Sequence, residues 1–244
     1  MKTFSDKNFE ELKNNSYPGR GIVIGISHDE SRIFQIYWIM GRSPNSRNRV
    51  FVREDNGFLK TKLFDESNSK DQSLIIYYPM KHINDCHIVT NGDQTDTVFN
   101  TVAEGADFEN AIETREYEPD APNFTPRISG ISYLNDEYLY KLSIIKTLYG
   151  NSDNLARYFF CYKNSALGYG HMITTYSGDG DPLPSFMGEP LIVPIFKTAE
   201  ENLENYWNAL NRDNRISIAV KMINRTTGNF ELILKNKLTQ GENP

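Results

Sequence analysis

Two acidic side chains stand two positions apart in a polar segment of this 244-residue chain. Glu116 and Glu118 precede Pro119, and a residue before proline is biased away from the helical conformation, so we expect an extended chain here. In an extended chain both carboxylates point to one side, about 6.6 Å apart. Like charges this close raise one pKa, which suits a proton donor beside a proton acceptor. A solvated strand edge is the alternative interpretation, and the residues alone leave both open.

A basic loop covers residues 42–49 and contains Arg42, Arg47 and Arg49 beside serine and asparagine side chains. Guanidinium groups bind phosphate or carboxylate through paired hydrogen bonds, so the loop suits an anionic ligand. A solvated turn held by its own serine and asparagine hydrogen bonds explains the same pattern without a ligand.

Two further segments have the composition of anion-binding loops. Asn91 and Gly92 lead into a polar helix start at 93–97, where free backbone amides could bind an anion or simply be capped. The loop 177–182 resembles a calcium or phosphate loop. Calcium is disfavoured because the last ligand position falls on Pro190. A ligand-gating loop and a plain turn both remain open for this segment.

The composition argues against several classes of site and partner. The four histidines and two cysteines show no metal-binding spacing, and no GxSxG or Walker sequence occurs, so we expect no metal and no cofactor. Cys86 and Cys161 suit packed apolar side chains in a reducing compartment. The net charge of −6 argues against a nucleic-acid partner. The absence of a long apolar run predicts a cytoplasmic location without membrane contact.

The elements that must position these groups are mostly strands. Periodicity and turn residues predict strands at 22–26, 33–40, 50–52, 74–78, 87–89, 128–133, 138–147, 156–162, 169–176, 216–223 and 230–234, with a hairpin at 54–70. Helices are expected at 1–16 with Ser5 as cap, from Asp93, after Gly105 with Asp107 as cap, and at 199–211 with Thr198 as cap.

Helices and strands do not alternate strictly in this order, which disfavours a Rossmann-type parallel sheet. The pattern predicts an α+β fold of two mostly antiparallel sheets with helices outside. We expect one domain over 1–244, in which 1–16 forms an N-terminal helical extension.

Several segments, taken in chain order, resemble the archaeal-type inosine monophosphate (IMP) cyclohydrolase family. That family has an opening Y-L-G-R, a basic S-R-S-x-P-N-R loop, S-N-G-x-x-T-D-T, and Y-E followed by N-T-P-R-I. The matching segments of this chain are 17–25, 42–47, 90–97, 117–118 and 123–128, and 173–176 is similar to a later strand of the family. The resemblance covers roughly residues 17–195, with insertions.

The resemblance implies a four-layer αββα sandwich like that of N-terminal-nucleophile hydrolases, without their N-terminal nucleophile. It implies a hydrolase acting on a cyclic amidine carbon–nitrogen bond, an enzyme of purine biosynthesis. The reaction is closure of 5-formamidoimidazole-4-carboxamide ribonucleotide (FAICAR) to IMP with loss of water, without metal or cofactor. The implied partner is a small nucleotide, and a homo-oligomer is left open. The alternative is a non-catalytic purine-nucleotide sensor of the same fold.

The resemblance also assigns residues. The catalytic candidates are Arg47, Tyr77, Glu116 and Glu118, and the substrate-binding candidates are Arg42, Ser43, Asn91, Thr95, Thr125 and Arg127. This chain departs from the family pattern in the basic loop, where Ser46 and Arg49 are additional. Which arginine of this loop acts in catalysis is therefore left open.

Overall fold

Two β-sheets lie face to face in the computed structural model of the protein, which describes residues 1–68 and 76–239. Every hydrogen-bonded neighbour pair within these sheets is antiparallel. The first sheet has the order β11-β10-β1-β2-β12-β13, and its strands are β1 (Gly21–Ile26), β2 (Arg32–Met40), β10 (Tyr169–Thr174), β11 (Leu191–Pro194), β12 (Arg215–Asn224) and β13 (Phe230–Asn236).

The second sheet runs through seven strands in simple chain order. Its strands are β3 (Arg49–Arg53), β4 (Leu59–Leu63), β5 (Met80–Ile83), β6 (Cys86–Thr90), β7 (Arg127–Tyr133), β8 (Tyr140–Leu148) and β9 (Asn151–Tyr162). The helices are α1 (Lys2–Asn14), α2 (Pro44–Arg47), α3 (Gln94–Ala103), α4 (Phe108–Glu113) and α5 (Ala199–Ala209), and Glu66–Asn68 forms one 3-10 turn. No helix of the described ranges is long and apolar enough to cross a membrane.

Strand β2 shows why the chain forms layers. Its side chains alternate, so that Ile36 and Trp38 enter a core beneath α1 and α5, whereas Tyr37 and Ile39 enter the core between the sheets. A strand buried on both faces appears as a nearly continuous apolar run, as 33–40 does with Gln35 as its one polar residue.

A third core lies on the other side of the second sheet, where Val98 of α3 and Phe108 of α4 pack against Ile131 of β7. The order of layers is therefore helix, sheet, sheet, helix. The predicted four-layer α+β sandwich is confirmed.

Some local predictions are corrected. The N-cap of α1 is Met1 rather than the predicted Ser5, which is buried inside the helix because the helix already begins at Lys2. The expected strand at 74–78 has two residues outside the described ranges, and 76–78 belong to no strand; the strand begins at Met80. A hairpin does form near the expected 54–70, but it is made by β3 and β4 over 49–63, with 54–58 as its turn; 69–70 lie outside the described residues.

The short elements α2, β5 and β11 were not predicted, because four residues carry too little periodicity to identify. Two helix caps are confirmed. The Thr198 hydroxyl accepts a hydrogen bond from the Glu201 amide at 3.1 Å, and Asp107 caps α4.

Candidate active site

Glu118 is an almost fully buried carboxylate in the segment between α4 and β7, with a residue exposure of 2%. Its backbone amide donates to the Thr125 carbonyl at 2.9 Å, and its own carbonyl accepts from the Asp120 amide at 2.9 Å. These bonds close the segment into a compact loop. The loop therefore holds the Glu118 side chain inward while Glu116, two residues earlier, is exposed.

Asn91 connects this loop to the end of β6. Its amide nitrogen donates to Glu118 Oε1 and to the Pro126 carbonyl, both at 3.1 Å, and its side-chain oxygen accepts from the Ile128 amide at 2.6 Å. Because the Ile128 N–H fixes the orientation of the amide, Asn91 presents a donor to the carboxylate. Asn91 therefore holds one oxygen of Glu118.

The second oxygen of Glu118 faces Arg20, which stands just before β1. Arg20 Nη2 lies 3.5 Å from Glu118 Oε2. The Arg20 amide donates to Thr175 Oγ1 at 3.1 Å. We call Arg20, Asn91 and Glu118 the Glu118 site. Arg20 was not among the predicted site residues, although it lies in the opening motif that resembles the family's Y-L-G-R.

Gly92 must be glycine for this geometry. Its φ is +82°, and a Cβ atom there would lie 2.6 Å from Arg127 Nη1 and 3.5 Å from Glu118 Oε1. Only glycine adopts such a backbone angle without strain. The turn after β6 thus brings the backbone directly against the charged groups.

Three phenol groups lie near the site. The hydroxyls of Tyr37 and Tyr77 are 2.8 Å apart, and the Tyr176 hydroxyl is hydrogen bonded to Thr125. The Thr125 hydroxyl in turn donates to the Asp120 carboxylate. Thr125 therefore lies in the Glu118 loop, and Tyr77 is close enough to act electrostatically on Arg20.

The basic loop contains the short helix α2, which ends at Arg47, and β3 begins at Arg49, so that the two arginines have different surroundings. Arg49 is buried, with Nε donating to the Ser46 carbonyl at 2.8 Å, and its charge acts on Tyr37, Tyr77 and Glu118. Arg47 is exposed and donates to the Gly41 carbonyl at 3.1 Å and to Asn214 Oδ1 at 3.2 Å.

Arg47 and Ser43 line a separate open cleft of about 600 Å³. None of the three residues of the Glu118 site lines that cleft. The structure therefore brings Arg49, rather than Arg47, toward the Glu118 site.

Arg42 joins the basic loop to the loop at 177–182. Its Nη1 lies 2.5 Å from Asp179 Oδ1 and donates to the Gly180 carbonyl at 3.2 Å. The guanidinium also covers the Tyr17 ring at 4.9 Å from its centroid, and Tyr17 stacks on Tyr176. The 177–182 loop is thus tied to the side of the site.

Arg127 and Arg115 share one carboxylate. Asp93 Oδ1 lies 2.8 Å from Arg127 Nη1, and Asp93 Oδ2 lies 2.5 Å from Arg115 Nη2. Burial alone would raise the pKa of Asp93, but the Arg115 hydrogen bond and the Arg127 charge lower it. Thr95 lies beneath this turn, with its hydroxyl 2.6 Å from that of Thr90 and donating to the Gly92 carbonyl at 3.3 Å.

Burial and charge oppose each other at Glu118. Burial raises the pKa of Glu118, Arg20 and Arg127 lower it, and the nearby Asp120 raises it, with a net upward shift. The acidic neighbour is therefore Asp120 rather than the predicted Glu116. For Arg20, burial lowers the pKa, but the negative potential of Glu118 and the phenol groups raises it well above its ordinary value.

This set of groups suits acid–base chemistry. A buried carboxyl with a raised pKa suits proton transfer, and guanidinium and phenol groups can stabilise negative charge on an oxygen. Within 1–68 and 76–239, no group of three or more histidine, cysteine or acidic side chains is placed to hold a metal ion.

The fold and site define a class: an αββα sandwich with a buried glutamate between arginine and phenol groups, suited to a polar anionic substrate. Comparison with known proteins agrees with this class. Residues 17–228 match the family described as IMP cyclohydrolase-like protein, and the chain belongs to that family. The resemblance seen in the sequence motifs is therefore confirmed.

One curated relative is the IMP cyclohydrolase of Methanosphaera stadtmanae. It is 32% identical over 118 residues, which cover 47% of this chain and 56% of that protein. The chain thus spans little more than half the length of this relative.

Proposed function

We propose that this protein closes FAICAR to IMP with loss of water. The observation that carries the proposal is Glu118, a buried carboxyl with a raised pKa that Asn91 and Arg20 hold in place. Membership of the IMP cyclohydrolase-like family and the name of the archaeal relative support the choice of substrate.

The reaction needs proton transfer at two stages. The carboxamide nitrogen of FAICAR attacks the formyl carbon, a C–N bond forms, and one nitrogen proton moves to the former carbonyl oxygen. The hydroxyl group then leaves as water with a second proton, which comes from the formamido nitrogen, so that a C=N bond forms and the ring is complete. We assign both transfers to Glu118, which takes the proton from nitrogen and returns it to the leaving hydroxyl.

The developing oxyanion requires donors in a fixed position. We assign this role to Tyr77, whose hydroxyl is held by Tyr37, and to Arg20 and Arg49. The family resemblance implied Arg47, but this residue is exposed and its guanidinium binds the Gly41 carbonyl and Asn214. Removing one such donor costs about 10²–10³ in rate in well-studied enzymes.

The nucleotide phosphate requires cations that can exchange partners. Arg42 and Arg127 are the proposed phosphate ligands, and in this structure each faces a carboxylate, Asp179 and Asp93 respectively. The phosphate must therefore displace or share a carboxylate, which makes its binding salt-dependent. Ser43 caps α2 and Thr95 donates to the Gly92 carbonyl, so we assign both a structural role, in the basic loop and in the turn after β6.

The test is an absorbance assay of purified protein with FAICAR that follows IMP formation, with and without a chelator. We expect chelator-resistant turnover in the wild type and a loss of roughly 10²–10⁴-fold in kcat for Glu118→Gln. Glu116→Gln is the matched control, because it makes the same change at an exposed position two residues away. Full activity of Glu118→Gln would contradict the acid–base assignment.

The Arg20–Glu118 pair also suits a second candidate, a purine-nucleotide sensor, because a paired carboxylate can fix an arginine for ligand binding without reacting. Saturable binding of IMP without turnover of FAICAR would favour the sensor. Turnover at any measurable rate that depends on Glu118 excludes it.

A further inference from the structure

Lys221 of β12 lies in the core between the two sheets with no solvent exposure. Its ammonium nitrogen has no hydrogen-bond partner among the residues that the structure describes. The nitrogen lies 4.0 Å from the centroid of the Phe230 ring on the neighbouring strand β13. A buried ammonium group is strongly unfavourable unless it is paired, so this lysine needs a further explanation.

Three more polar atoms near Lys221 lack partners within the described ranges. They are Gln35 Oε1, His82 Nδ1 and His87 Nδ1. Gln35 stands opposite Lys221 in the ladder between β2 and β12, and its amide nitrogen donates to the His87 carbonyl at 2.8 Å. This bond fixes the amide orientation and leaves Oε1 as the atom without a donor.

The histidine rings complete one group of side chains. His82 and His87 stack with centroids 5.8 Å apart, and their centroids lie 4.7 Å and 5.7 Å from that of Phe230. We call Lys221, Gln35, His82 and His87, gathered around Phe230, the Lys221 cluster. Its members come from both sheets, so the cluster lies between them.

The charges acting on the cluster all have one sign. Arg53, at the end of β3, is the charged group that acts on Lys221, and Lys221 acts on both histidines. No carboxylate of the described residues appears among these interactions. An ordinary buried lysine is neutralised by a glutamate or aspartate, and here that partner is missing.

We propose that the Lys221 cluster binds a small inorganic anion, of the size of a halide, between the two sheets. The ammonium group and the two imidazole nitrogens supply donors, and Gln35 Oε1 can accept one ammonium hydrogen. The site is separate from the Glu118 site and shares no residue with it. The proposal therefore does not depend on the proposed reaction.

Anion binding at this site must weaken with rising pH. Burial, together with the Arg53 charge, lowers the pKa of Lys221 to about 7. Burial and the Lys221 charge lower the pKa of His82 to about 4 and that of His87 to about 2, so both rings are neutral above pH 5. Among these three groups only the Lys221 ammonium changes charge between pH 6 and 9, and its deprotonation removes the cation that the anion requires.

The direct experiment is a crystal of the wild-type protein soaked in sodium bromide at pH 6. We expect an anomalous bromide peak at hydrogen-bonding distance from Lys221 Nζ. Bromide peaks only at the protein surface would overturn the proposal. This experiment does not depend on any variant folding.

The solution experiment measures the melting temperature as bromide replaces gluconate, an anion too large for the site, at constant ionic strength. At pH 6 the wild type should gain about 5 °C once bromide exceeds its dissociation constant by about 100-fold. The gain should shrink at pH 9. The bromide-dependent gain in melting temperature should be absent in Lys221→Met. It should be kept in Lys62→Met, which removes the same charge from an exposed position of β4. An equal gain in Lys221→Met would contradict the site.

Discussion

The Glu118 site and the Lys221 cluster are both buried and both contain cations, yet their electrostatics are opposite. Arg20 faces Glu118, and its pKa is raised well above its ordinary value although burial opposes the charge. Lys221 faces no carboxylate in the described part of the chain, and burial lowers its pKa to about 7. The comparison shows that a carboxylate partner, against the effect of burial, decides the direction in which the pKa of a buried cation moves.

The largest expected effect on stability comes from removing the cation of the Glu118 site. Arg20→Met leaves Glu118 buried without its cation, which should cost about 3–5 kcal/mol of stability at pH 7, measured by urea unfolding. The pKa of Glu118, already raised by burial, should rise further. A carboxyl whose pKa is raised in the folded state stabilises that state at low pH, and this stabilisation disappears as pH rises through the folded pKa. The stability that Arg20→Met loses should therefore be smaller at pH 4 than at pH 7.

The control for this change is Arg225→Met. Arg225 Nη1 lies 3.1 Å from Glu30 Oε1, but this pair is largely exposed, with side-chain exposures of 33% and 62%. Arg225→Met should therefore lose less than about 1 kcal/mol of stability. If Arg20→Met and Arg225→Met lost the same stability, burial of the ion pair would make no difference, and the prediction for Arg20 would be wrong.

Removing the cation of the Lys221 cluster should have the opposite effect on stability. Lys221→Met removes a buried ammonium group and should stabilise the protein at pH 7 in gluconate buffer, by several kcal/mol and at most about 5. The folded pKa lies below the unfolded value, so the cost of burying Lys221 is full below pH 7 and declines as pH rises toward 10.5. Urea unfolding at pH 7 and pH 10 measures this, and a destabilised Lys221→Met would contradict it.

A third prediction concerns Gly92, whose backbone lies against the charged groups of the Glu118 site. Gly92→Ala should cost roughly 1–3 kcal/mol and lower kcat, because its Cβ would press on Arg127. Gly105→Ala is a matched control: its φ is +84°, but no atom lies within 4 Å of the added Cβ. It should lose about 1 kcal/mol through backbone strain alone and keep its kcat.

The smallest effect concerns an exposed pair beside the site. Asp179→Asn frees Arg42 from its carboxylate, and since the pair is about 40% exposed it should change stability by less than about 1 kcal/mol. On the proposed function, KM for FAICAR should fall, because phosphate no longer competes with Asp179. Asp181→Asn, at an exposed position of the same loop, should leave KM unchanged. A higher KM in Asp179→Asn would show that the loop tie itself helps binding.

Much of the architecture follows from local patterns. The apolar run at 33–40, the caps Thr198 and Asp107, and the turn at Asn91 and Gly92 all lie where the sequence predicts them. Period and capping are properties of neighbouring residues, so they can be deduced without knowing the fold. The assignment of one domain stays a prediction, as does the likeness to N-terminal-nucleophile hydrolases.

What the tertiary structure decided is which long polar side chains become buried. Arg47 and Arg49 are alike in sequence, yet Arg47 at the end of α2 is exposed and Arg49 at the start of β3 is buried. Glu118 finds Arg20 almost a hundred residues away, and Lys221 becomes enclosed only when both sheets close over it. Burial and pairing arise from contacts between distant segments, and a local pattern carries no information about them.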